Sequence, residues 1–141
     1  MKNYVLDANA LMTFLTGRPG ARRVEKLLLE AGRRGSPIYM SAVNWGEVVY
    51  STWRTRGESV AKRLQQEVAR LALVVMDAGQ GRATGAAELK AIYRLGYADC
   101  FAAELALELG ATLTTADPEF QKLGKRLRVD YLPRHANSAR K

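Results

Sequence analysis

The chain has 141 residues, with 22 Lys+Arg against 14 Asp+Glu, a formal charge of +8 and a pI near 9.9. That length suits one domain with a core of its own, and 48% hydrophobic with 26% charged residues is ordinary for a soluble globular protein. A single cysteine, Cys100, and a single histidine, His135, exclude an internal disulfide, a cysteine-cluster zinc site and any mechanism that needs two histidines.

No apolar run approaches the length of a membrane span, and the N-terminus lacks the basic-then-apolar pattern of a secretory signal, so a soluble, cytoplasmic protein is expected. The excess of positive charge fits a polyanionic partner such as nucleic acid. It fits a solubilising surface equally well.

Along the chain, short apolar runs at 4–6, 37–40, 73–76, 111–114 and 128–132 read as strands. Helical periodicity fills 11–34 (broken near GRPG), then 42–56, 58–72, 83–95 and 98–109, and a short helix is expected after Pro118. Gly17, Gly57, Gly96 and Gly110 stand where helix C-caps are expected. Strands alternating with helices imply right-handed crossovers, hence an α/β fold: one domain with a mostly parallel sheet of about five strands flanked by helices. The domain is expected to cover residues 1–133, with 134–141 a flexible basic tail.

The acids then come in order. In such a sheet, ligands bind outside the carboxyl ends of strands, where connections diverge to opposite faces. Asp7 sits at that end of the first strand, and Asp117 just past the fourth, beside Thr114 and Thr115. Helix capping accounts for each of them without any catalysis. Glu47 lies on a helical stripe with Asn44, Ser51 and Arg54, which by itself reads as a solvated face. Asp99 points away from Glu104 and Glu108 and lines up with Ala102, Ala103 and Ala106, the small residues that let a helix pack on a sheet. Asp99 reads equally as a cap in the first helical turn or as a functional acid, since an aspartate aimed at the interior is costly unless it is paired or bound to a metal. Cys100, in an apolar segment, reads as a small core residue.

Several carboxylates without histidine or cysteine suit a hard divalent cation, Mg²⁺ or Mn²⁺. Such an ion can hold a phosphate oxygen and acidify bound water, so together with the basic composition the acids point to phosphodiester hydrolysis.

The pieces VLDANALM, SAVNWGEV, LGYADCFAAELALELGATLTTADPEF and VDYL, in this order and spacing, resemble the PIN-domain ribonucleases and, among them, the VapC-type toxins of type II toxin–antitoxin pairs. The resemblance spans nearly the whole chain. It implies that Asp7, Glu47 and Asp99 are the core acids that hold Mg²⁺ or Mn²⁺, and that Asp117 is the more variable fourth acid, acting directly or through water. It implies that Asn9 and Thr115 support these carboxylates; Ser41 matches less closely. It further implies an RNA substrate, a homodimer, and a cognate antitoxin whose C-terminal segment blocks the acidic cleft while its N-terminal part binds operator DNA. Two alternatives stay open: a phosphatase with an aspartate nucleophile, which would usually carry a second aspartate where Asn9 stands, and a non-catalytic RNA- or protein-binding module of the same fold.

Overall fold

One parallel five-stranded sheet organises the computed structural model, which describes residues 2–134. His135 and the rest of the expected tail lie outside the described residues. The elements are β1 (Tyr4–Leu6), α1 (Ala8–Leu15), α2 (Ala21–Arg34), β2 (Ile38–Ser41), α3 (Ala42–Arg56), α4 (Glu58–Val68), β3 (Leu73–Met76), α5 (Gln80–Tyr93), α6 (Tyr97–Leu109), β4 (Thr112–Thr115), 3₁₀ turns over Pro118–Arg126, and β5 (Val129–Tyr131). The strand order is β3-β2-β1-β4-β5, every pair is parallel, and the registers include Val5 opposite Tyr39 and Leu113, and Leu113 opposite Val129.

Two apolar layers cover the sheet because successive side chains of a strand face opposite ways. Val5 and Leu113 pack with α5 and α6 on one face, through Leu89, Cys100, Phe101, Ala102, Ala106 and Phe120. Leu6, Ile38 and Met40 pack with α1 to α4 on the other, through Leu11, Val24, Leu28, Val48 and Leu64. Helix α6 carries no amphipathic stripe because it is buried on most sides, with Cys100, Ala102, Ala103, Leu105 and Ala106 all fully inaccessible. Truncating Leu6 or Leu113 to Ala would cost about 2–5 kcal/mol through lost burial and the cavity left behind.

Several helix ends differ from the sequence reading, each for a local reason. Gly57 and Gly110 do cap α3 and α6, and Gly17, at φ 65°, follows the Thr16 cap of α1. Gly96 instead opens α6 at φ −57°, and Arg94 takes the left-handed position that closes α5. Glycine at 96 serves another need: a Cβ there would stand 3.3 Å from Asp99 Oδ2. Helix α4 ends at Val68 rather than near 72, because turn hydrogen bonds from Arg70 and Leu71 close the chain back onto Glu67 and Val68.

Strand order decides where a site can form. β1 is flanked by β2 on one side and β4 on the other, so the connections leaving these strands diverge beside it. That point is the crevice where open α/β sheets bind ligands.

Candidate metal centre and active site

At the carboxyl ends of β1 and β4, Asp7, Ala8, Asn9, Glu47, Asp99, Ala116, Asp117, Pro118 and Arg134 line one open cavity of about 270 Å³. Four acids expected from the sequence therefore share a single place. They arrive from β1, α3, α6 and the turn after β4, separated widely in the chain.

Asp7 is the most buried, at 3% exposure. It is also the N-cap of α1, its Oδ1 accepting from Ala10 N at 2.8 Å. Its Oδ2 accepts from the Thr115 hydroxyl, and Thr115 Oγ1 in turn accepts from Asp117 N at 3.0 Å. One threonine thus ties the first acid to the backbone of the fourth. Asn9 Oδ1 accepts from Ala116 N at 3.2 Å, pinning the start of α1 to the end of β4. Asp117 caps the segment after it by accepting from Glu119 N at 2.9 Å.

Glu47 receives a hydrogen bond from Asn44 Nδ2 at 3.1 Å, and the same amide nitrogen donates to the Ala98 carbonyl at 3.0 Å. Both partners are pure acceptors, which forces the amide nitrogen toward them. Asn44 Oδ1 is then left buried with no hydrogen-bond partner among the described residues. Such an orphaned acceptor costs about 1–3 kcal/mol. The solvated stripe read from the sequence holds at exposed Arg54 and is corrected at Asn44, which is fully buried because α3 leans on the first turn of α6.

The acids disturb one another. Burial pushes the Asp7 carboxyl from its ordinary 3.8 up to about 7, against the opposing pull of Thr115 and Ala10, and the charges of Asp99 and Asp117 add to the rise. Asp99 is pushed up to about 6, first by burial and then by Asp117, Glu47 and Glu119. The Tyr131 hydroxyl, on β5, is also raised, by burial and by Asp117. Carboxylates gathered in a half-buried pocket have this signature.

All of the acid donors are hard oxygens, the set that suits Mg²⁺ or Mn²⁺. As they stand, no three of the described acids converge closely enough to cage an ion. Asp7 is anchored by Thr115 and Ala10, Glu47 by Asn44, and Asp117 by its own turn. The donor chemistry fits a divalent cation, and the charge it would neutralise is already gathered there.

Ser41 is placed differently from the other expected supports. It is the N-cap of α3, accepting from Val43 N at 3.2 Å, and it does not line the cavity. Two residues that line or brace the cavity escaped the sequence reading. Asn44 left a usable signal, an amide one helical turn before Glu47. Arg134 left none, since its place depends on β5 folding back: Leu132 N donates to Thr115 O at 2.7 Å, and Gly20, at φ +99°, lets Pro133 pack on the start of α2. No described helix is long and apolar enough to cross a membrane.

Comparison with known proteins agrees with this architecture. The PIN domain family model matches residues 4–126. Among solved structures, VapBC2 from Rickettsia felis bound to a DNA fragment from its promoter is similar at TM-score 0.74 and 17% identity, over 92% of this chain and 98% of that one. DNA-bound VapBC from Salmonella typhimurium is similar at TM-score 0.72 and 19% identity, over 93% and 98%. VapBC-1 from nontypeable Haemophilus influenzae follows at TM-score 0.67 and 21% identity, over 91% and 96%. No curated protein matches by sequence. A family match over most of the chain, on a fold with its acids at the sheet's switch point, leads to one conclusion: the chain belongs to the PIN domain family.

Proposed function

We propose that this protein is a Mg²⁺- or Mn²⁺-dependent endoribonuclease, the toxin of a toxin–antitoxin pair. The observation that carries the reading is the gathering of Asp7, Glu47, Asp99 and Asp117 around one cavity at the β1–β4 switch point. In this reading those four acids hold the ion, Asp117 directly or through water. Bound there, the ion would polarise a phosphate oxygen and lower the pKa of a water molecule.

The chain's own part is positioning. Thr115 and the Ala10 amide aim the Asp7 carboxylate, and Asn9 keeps the β1 and β4 ends together. Arg134, exposed at the cavity wall, offers a guanidinium to a substrate phosphate. Exposed Arg22 and Lys26 on α2, with Arg54 and Arg56 on α3, are further candidates to hold the RNA backbone. Arg23 is less available, being paired with Asp130 at 2.6 Å.

The partners proposed are a cognate antitoxin and a second copy of the chain in a cytoplasmic homodimer. The antitoxin is supported by relatives of the same fold that were solved as VapBC complexes. The domain is taken to end at Pro133, with 134–141 as a basic tail whose first residue, Arg134, reaches the cavity wall, a boundary that limited proteolysis would test. The deciding experiment incubates purified protein with total cellular RNA, in Mg²⁺ or in EDTA, and maps the new ends. Discrete new ends in Mg²⁺ and none in EDTA are expected; cleavage that persists after exhaustive metal removal contradicts the mechanism.

A further inference from the structure

We propose that Asn44 is a positioning residue that sets the distance between Glu47 and Asp99 with a single side-chain amide. The inference rests on the metal-site reading above and assigns a role to a residue outside the four acids. Glu47 is long and half-buried, so its carboxylate could sweep several rotamers across the cavity wall. The 3.1 Å bond from Asn44 Nδ2 removes that freedom at one oxygen. Asp99 is short, so its carboxylate goes where the first turn of α6 puts it. The 3.0 Å bond from the same nitrogen to the Ala98 carbonyl holds that turn against α3, across 54 positions of chain. Ala98 immediately precedes Asp99 in the sequence.

The chemistry at this position is restrictive. Two acceptors meet one nitrogen, so the residue must donate twice and carry no negative charge. Aspartate would set a third acceptor against them, serine and threonine are too short, and leucine fills the space without donating. The amide is fully buried and leaves its own Oδ1 without a partner among the described residues. Stability alone does not account for a polar group kept at that cost; the two bonds it makes toward the acids do.

The test compares wild type with Asn44→Leu, a variant of similar volume, by calorimetric titration with Mn²⁺ and by melting in EDTA. Asn44→Leu should melt within a few degrees of wild type in EDTA, yet bind Mn²⁺ tenfold or more weakly. In a Glu47→Ala or an Asp99→Ala background the same exchange should cost less than in wild type, because its effect passes through those two carboxylates. Mn²⁺ affinity within twofold of wild type would overturn the role of Asn44. So would a full tenfold loss that persists in both a Glu47→Ala and an Asp99→Ala background, since that marks a general packing defect. Should the leucine variant not fold, Asn44→Ser is measured in its place against the same two thresholds. If wild type itself binds no Mn²⁺, the metal-site reading fails and takes this inference with it, an outcome distinct from an unaltered Asn44 variant.

Discussion

Replacing Asp7 by Asn separates the cap from the charge. In the folded chain the Asp7 carboxyl is raised to about 7, chiefly by burial, while in the unfolded chain it titrates at ~3.9. A carboxyl raised in this way keeps a proton that the unfolded chain has released. Its contribution to stability is therefore complete below about pH 4 and is lost as pH rises toward 7. A gap of about three pH units, at 1.36 kcal/mol each, makes the loss on the order of 4 kcal/mol. The substituted amide does not titrate, still caps α1 by accepting from Ala10 N, and gives up the hydroxyl of Thr115 at about 1 kcal/mol. Measured in EDTA, the melting temperature of Asp7→Asn minus that of wild type should increase by roughly 10 °C between pH 4.5 and pH 8. Taking the difference cancels the pH response of every group that does not interact with Asp7. Parallel melting curves across that range would refute the reasoning, because Asp7 would then be an ordinary cap in contact with water. RNA cleavage by the same variant should fall by several orders of magnitude, since one charged ligand is gone.

Asp99→Asn should melt no lower than wild type in EDTA, because it removes one of several mutually repelling carboxylates. Mg²⁺ at a hundred times its dissociation constant should stabilise wild type by about 2.7 kcal/mol and this variant far less, as differential scanning fluorimetry would show; equal stabilisation of the two proteins contradicts the site. With Asp99→Asn as a non-cleaving probe, RNA affinity should fall as salt rises from 50 to 200 mM through counterion release. A flat salt response would remove the case for an electrostatic RNA-binding face. Thr115→Val keeps the shape but loses the hydroxyl that links Asp7 to the Asp117 amide. It should stay folded and cleave RNA roughly 10–100-fold more slowly, in line with supporting partners of metal ligands, and unchanged single-turnover rates would assign Thr115 to packing alone.

Local chemistry makes much of this protein legible in its sequence. Residues 42–56 form α3 and 4–6 form β1 as read, because apolar periodicity and flanking glycine are local signals. The alternation of strand and helix also carried the parallel α/β class, since parallel neighbours require crossovers. Asp7 and Asp117 are conspicuous as carboxylates at strand ends and Asp99 as an acid on an apolar helix face, whereas Glu47 stands out only through the family resemblance. What stayed hidden depends on contacts between distant segments. The order β3-β2-β1-β4-β5, which puts the ends of β1 and β4 side by side, is a choice among pairings that no single segment encodes. Asn44 reads as one member of a polar helix face until α6 lies across it and turns that face into the wall of the site. Arg134 reads as tail until β5 pairs with β4 and carries it to the cavity. Periodicity says which face of an element avoids water; only the packed neighbours determine what that face meets.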